Sequence, residues 1–171
     1  MDLMSEIMKI LDKFTTFVAS HIGDIKVYGH LMFFDFKYRS YVCVSKEKYF
    51  EVKKLLDSLG NKPCIIGRYY SDFLSSKFMK SKLISHVGLY TGRELEGKPD
   101  AIIHAVGEGV CVESLLKFMS CDKIYIMSVD LDEEKLNKVV DEAIKLINTP
   151  YDFTFSEDDK TLYCSELIYN L

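Results

Sequence analysis

Two residues in this chain carry the types that nucleophilic chemistry needs. Cys164 lies in Leu162-Tyr163-Cys164-Ser165-Glu166-Leu167, and His86 lies earlier, in Ser85-His86-Val87-Gly88-Leu89-Tyr90. The apolar pattern Leu167, Ile168 and Leu171 after the cysteine predicts a short helix. A thiol in the first turn of a helix meets unpaired backbone N–H groups, which favour the thiolate and can hold an oxyanion. An imidazole within reach takes the thiol proton and returns it to a leaving group. Read singly, each residue is more readily structural: a buried cysteine, and a strand histidine with its hydrogen bonds satisfied.

The surrounding elements decide whether the two can work together. Thr161 is the expected N-cap of the last helix, which would place Cys164 at its third position. Leu83 to Thr91 reads as a strand. Its alternation puts Ile84, His86, Gly88 and Tyr90 on one face, so a glycine leaves space beside His86. Ala101 to Val106 is a second strand and carries His104 in an apolar run, where a buried polar group needs a partner. If the two strands pair, the imidazoles could face one another, with His104 orienting His86 as the third member of a triad. A core histidine satisfied elsewhere is the alternative.

The rest of the chain supplies a frame. Residues 3–18 space Leu3, Ile7, Leu11, Phe14 and Val18 as an amphipathic helix. It could lie on a membrane or a partner, but its mixed acidic and basic polar face favours packing on its own domain. Ile25 to Phe36 and Tyr41 to Val44 are expected to be paired strands around Lys37-Tyr38-Arg39-Ser40. Ser45 caps a helix ended by Gly60-Asn61, and Cys64 to Gly67 is a short strand. Ser71 to Lys80 reads as a helical stretch or flap. Gly107-Glu108-Gly109 is a turn into Val110-Cys111-Val112; Glu113 to Met119 reads as a short helix and Lys123 to Val129 as a strand. Asp130 with Glu133 is the expected capping pair of a helix that Pro150 stops. Strands in the middle with helices at both ends define an α+β class.

Composition excludes several functions. The 171 residues suit one domain with a real core, and 48% hydrophobic content against 28% charged is that of a globular chain. A net charge of −4 leaves no overall basic character for phosphate backbones, so nucleic acid is not expected as a partner. No apolar run is long enough to span a bilayer, and Asp2, Glu6, Lys9 and Asp12 interrupt any signal-peptide core, which makes the cytoplasm the expected location. Five cysteines without paired short spacing argue against a disulfide framework or a four-cysteine zinc site. Asp152, Glu157, Asp158 and Asp159 do not have the spacing of a calcium loop and read as a solvated segment.

Taken in order, four segments resemble the permuted papain-like amidases of the YiiX type, relatives of the NlpC-type cell-wall peptidases. They are Ser85-His86-Val87-Gly88-Leu89-Tyr90; Ile103-His104-Ala105-Val106 with Gly109-Val110; Pro150-Tyr151-Asp152-Phe153; and Leu162-Tyr163-Cys164-Ser165-Glu166-Leu167. The resemblance covers about residues 62–171. Histidine before cysteine is the permuted order, the reverse of papain itself. It implies a permuted papain-like fold: a central antiparallel sheet packed by helices, here with an extra N-terminal α/β segment over residues 1–61, the whole forming one compact unit.

The implied activity is that of a cysteine hydrolase cleaving an amide, or an ester, through a thiol acyl-enzyme. Cys164 falls on the nucleophile and His86 on the general base and acid. His104 falls on the third polar position, often a carboxylate in YiiX-type members and usually histidine in NlpC-type ones. Tyr151 falls on a tyrosine close to the cysteine that can aid the oxyanion site. No metal or organic cofactor is implied, and the expected partner is a small peptide or lipid-amide substrate. The segment Pro63-Cys64-Ile65-Ile66-Gly67-Arg68 stands where the family usually has a Gly-Asp strand, and residues 1–60 match nothing in it. Two other readings stay open: a lipid acyltransferase like the lecithin:retinol acyltransferase relatives, with membrane contact through residues 1–18, and a non-catalytic binding protein on the same scaffold. The sequence does not define the substrate or the oligomeric state.

Overall fold

The structure, a computed structural model, describes Lys13 and residues 25–28, 31–34, 44–70, 83–153, 155 and 160–171, with backbone only for 25–28 and 31–34. The expected helix over 3–18 (Lys13 apart), the strand over 41–43, the helix or flap over 71–80 and the acidic residues 157–159 lie outside the described residues.

A five-stranded antiparallel sheet organises the chain. Its strands are β3 (Cys64–Tyr69), β4 (His86–Tyr90), β5 (Ala101–Val106), β6 (Gly109–Ser114) and β7 (Lys123–Met127), in the spatial order β6-β5-β4-β3-β7. A separate hairpin, β1 (Ile25–Tyr28) with β2 (Leu31–Phe34), pairs Tyr28 with Leu31. The expected continuous strand from Ile25 to Phe36 is therefore two strands. Gly29 stands between them in the sequence, and glycine in a strand pattern marks a break more often than a continuation.

Alternation along the strands gives the sheet two apolar faces. Helix α1 (Lys46–Ser58) covers one, placing Val52 and Leu56 in a cluster with Cys64, Ile66, Tyr90 and Ile102. Helix α2 (Leu115–Phe118) adds Leu115 and Phe118 to that cluster. Helices α3 (Glu133–Lys145) and α4 (Cys164–Tyr169) cover the other face, where Val140, Ala143 and Leu167 meet Leu89, Ile103, Ala105 and Val112. This is the expected α+β architecture, with antiparallel strands between helical layers.

Local sequence explains the helix ends. The Ser45 hydroxyl accepts from the Lys48 N–H at 3.1 Å, and α1 ends before Gly60 and Asn61, both at positive φ. A polar network fastens α1 to the sheet: Lys53 Nζ donates to Asp100 Oδ1 at 2.7 Å, and the Tyr90 hydroxyl donates to the same oxygen at 3.0 Å. Two boundaries differ from expectation. Asp132, not Asp130, caps α3 by accepting from the Lys135 N–H at 2.8 Å. Glu113 and Ser114 belong to β6 rather than to a helix, because Ser114 serves as the N-cap of α2.

Candidate active site

The site gathers where β4 and β5 part. Their ladder consists of Leu89↔Ile103 and Tyr90↔Ile102, whereas β5 and β6 pair along all six residues of each strand. His86 precedes the β4–β5 ladder and His104 follows it. Their side chains meet, His86 Nε2 lying 2.8 Å from His104 Nδ1 with the rings edge to face at 76°. The conditional expectation that the two strands pair and the imidazoles face each other thus holds in geometry. Gly88 permits it: a Cβ there would lie 2.9 Å from Ile102 Cγ2 and 3.0 Å from His104 Cβ.

Helix α4 packs on β4 and β5 and brings Cys164 to the same place. Cys164 is the first residue of the helix, and Tyr163 is the N-cap residue. The expected cap at Thr161, with Cys164 in third position, is corrected by this. The N-cap backbone is held instead by Glu166, whose Oε2 accepts from the Tyr163 N–H at 3.3 Å. Starting later, the helix places the thiol at its first turn while Leu167 becomes fully buried.

Burial raises the Cys164 thiol above its ordinary pKa, against the opposing pull of the backbone N–H groups of Val87, Ser165 and Cys164 and the Arg68 charge. Helix α4, which carries the thiol at its start, packs on β4. Among the described residues no hydrogen bond joins the thiol to either imidazole. Both imidazoles are held well below the ordinary histidine pKa, first by burial and then by the positive charge of Arg68. At neutral pH the site therefore rests as a neutral thiol beside two neutral imidazoles.

Tyr151 also reaches this place. Residues 150–152 run parallel to Leu162, with the Leu162 N–H on Pro150 O at 3.0 Å and the Asp152 N–H on Leu162 O at 3.2 Å. That pairing sets Tyr151 beside the start of α4. Burial, then the nearby Cys164, raises its phenol well above the ordinary value, so it stays a protonated donor.

Two further residues stand behind the histidines, and the sequence reading assigns neither a role. Glu113 on β6 is buried, and its Oε2 lies 3.6 Å from His104 Nε2. The Arg68 Nη1 atom on β3 is 3.3 Å from the same oxygen, and Lys117 Nζ is 2.6 Å from Oε1. Arg68 also lies over the Phe118 ring, 4.5 Å from its centroid. Glu113 was legible in principle. Ser114 is a good N-cap, which leaves Glu113 in the strand on the same face as Cys111.

A thiol at a helix start, an imidazole pair and an antiparallel sheet, with histidine ahead of cysteine, define the permuted papain-like class. A family model described as permuted papain-like amidase enzyme, YaeF/YiiX, C92 family, matches residues 65–171, and the chain belongs to that family. Among solved structures it is similar to the crystal structure of metalloprotein yiiX from Escherichia coli O157:H7, at 27% sequence identity and a TM-score of 0.53. The similarity covers 64% of this chain and 62% of that one, so less than two thirds of the relative's length is matched. No curated protein matches the chain. Membership gives the chain the permuted papain-like fold of that family. No helix among the described residues is long and apolar enough to cross a membrane.

Proposed function

We propose that this protein hydrolyses an amide bond through an acyl-enzyme on Cys164. The observation that carries the reading is the packing of α4, which starts at Cys164, on β4 and β5, the two strands whose His86 Nε2 and His104 Nδ1 lie 2.8 Å apart. His86 Nε2 is engaged by His104, which leaves Nδ1 as the nitrogen for the thiol. His86 accepts the thiol proton as sulfur attacks the carbonyl carbon. The Cys164 N–H, at the start of the helix, and the Tyr151 hydroxyl hold the oxyanion. His86 then protonates the departing amine, and water attacks the thioester with His86 again as base. The missing thiol–imidazole hydrogen bond does not oppose this reading, because such contacts commonly tighten only when substrate binds.

The similar solved structure is described as that of a metalloprotein. Here the donors do not suit a metal. Among the described residues no three His, Cys, Asp or Glu side chains form a group that could hold one, and the facing histidine nitrogens are engaged with each other. No step is routed through a metal.

The test is labelling with an acyl-directed electrophile followed by mapping of the modified residue. Label on Cys164, with turnover of the matching amide abolished in Cys164→Ala and nearly so in His86→Ala, is the expected result. Turnover at the wild-type rate in Cys164→Ala would refute the assignment. The same probe presented as a fatty-acyl ester with a lipid amine acceptor distinguishes transfer from hydrolysis.

A further inference from the structure

Two neutral histidines that face each other through Nε2 and Nδ1 can share one proton in two ways, and only one suits a base. If His104 Nδ1 donates, His86 Nε2 accepts and the His86 proton sits on Nδ1, the nitrogen meant for the thiol. If His86 Nε2 donates, Nδ1 carries the lone pair and can accept the thiol proton. The choice is made at the far side of His104, because a neutral His104 that accepts at Nδ1 must carry its hydrogen on Nε2.

The His104 Nε2 atom is buried and has no hydrogen-bond partner among the described residues. The Glu113 carboxylate oxygen lies 3.6 Å away, on a side chain only 9% exposed. That distance is long for a hydrogen bond, but a buried carboxylate attracts an N–H and repels a lone pair across it. Arg68 and Lys117 hold the carboxylate in place, at 3.3 Å and 2.6 Å.

Resting on the hydrolase reading, we infer that Glu113 is a positioning residue: it holds the hydrogen of His104 on Nε2, which turns Nδ1 into an acceptor and leaves Nδ1 of His86 free to act as base. The order is Glu113, His104, His86, Cys164, with the carboxylate outside the triad rather than within it. Desolvation keeps both imidazoles neutral, the buried His104 and the half-buried His86, and this is what makes the tautomer matter. Arg68 is the competitor. Its Nε is also buried without a hydrogen-bond partner among the described residues, and its charge would favour a lone pair on His104 Nε2.

Nitrogen-15 correlation spectra of the histidine rings test this in the whole protein at neutral pH. The expected wild-type result is hydrogen on Nε2 of both His104 and His86. Hydrogen on Nδ1 of His104 in the wild type overturns the proposal, whatever the variants do. In Glu113→Leu the acceptor is gone, so the His104 hydrogen moves to Nδ1 and Cys164 alkylation and turnover fall by about 10- to 100-fold, the size of comparable outer-residue effects. Glu113→Gln keeps the shape of the side chain and loses its charge. Because the effect on His104 runs through that charge across 3.6 Å, the hydrogen moves to Nδ1 as in Glu113→Leu, and a glutamine variant that keeps the native tautomer overturns the assignment to the carboxylate charge. A folded Glu113→Leu that keeps the native tautomer also overturns the proposal. The spectra do not require turnover: the expected tautomers in a protein whose Cys164 labels with nothing would retire the hydrolase reading and leave the tautomer assignment standing.

Discussion

At the scale of the residue, the resting state of Cys164 governs how its chemistry is started. Burial outweighs the N–H groups around the thiol and raises its pKa, and His86 is pushed the other way. The pair is not a stored thiolate–imidazolium ion pair, and the proton must move during attack. Alkylation of Cys164 by iodoacetamide should therefore keep rising through pH 9, with no plateau near neutrality. It should stay faster than at Cys64 and Cys111, whose thiols burial pushes to about 11. A flat profile from pH 6 to 8 would mean that the ion pair pre-exists. Gly88 is the second residue whose substitution is informative. Gly88→Ala would press a methyl group against Ile102 and His104 at about 3 Å. It should cost about 1–3 kcal/mol in denaturant unfolding and slow Cys164 labelling by displacing His104.

At the scale of the element, α4 has six residues, too few to be stable by its own hydrogen bonds. Packing holds it, chiefly through Leu167, which is fully buried against the sheet. Leu167→Ala should lower stability by about 2–5 kcal/mol and reduce Cys164 labelling, because the nucleophile is positioned by that one anchor. Ser45→Ala removes the cap of α1 on the far side of the sheet. It should cost about 1 kcal/mol in a thermal melt and leave labelling unchanged. Equal effects of the two substitutions on labelling would contradict this division. The elements also show how far the chain could be read. The Ser45 cap and the Gly60-Asn61 stop are local signals and appear as expected. Glu113 drew no assignment because β6 runs directly into α2, and the change of period falls at Ser114, at once the last residue of the strand and the N-cap of the helix. The cap of α3 moved from Asp130 to Asp132 for the same kind of reason: two acidic residues close in sequence can each begin a helix, and the packing of Leu136 and Val140 selects the register.

At the scale of the whole molecule, the buried His104 and the half-buried His86, both neutral, make the fold sensitive to acid. Their folded pKa values lie well below the ordinary histidine value of about 6.5, which the unfolded chain approaches. Below that pH the unfolded state binds protons that the folded state refuses, so stability falls as pH drops. The loss is up to about 1.4 kcal/mol per pH unit for each imidazole. Urea unfolding from pH 7.5 to 5 should show it, and His104→Phe should flatten the slope. An unchanged slope would place the acid sensitivity in other groups. We propose further that residues 44–61 and the family core behave as one unit. The face formed by Cys64, Ile66, Tyr90 and Ile102 is covered by Val52 and Leu56 of α1, and Asp100 is bonded to both Lys53 and Tyr90.

Taken alone, the sequence determined which residues could do chemistry and in what order, because thiol, imidazole and phenol are properties of residue type. It also determined most strands and the cap of α1, because alternation and capping act over a few neighbouring residues. Family membership was legible from four short segments for the same reason. Only the tertiary structure decided how those residues meet. The helix that starts at Cys164 packs on β4 and β5, whose ladder is short, and the facing nitrogens are His86 Nε2 and His104 Nδ1. A glutamate from a third strand and an arginine from a fourth stand behind them. Strand register and the depth of a buried carboxylate depend on contacts between segments far apart in the chain, and no local pattern encodes them.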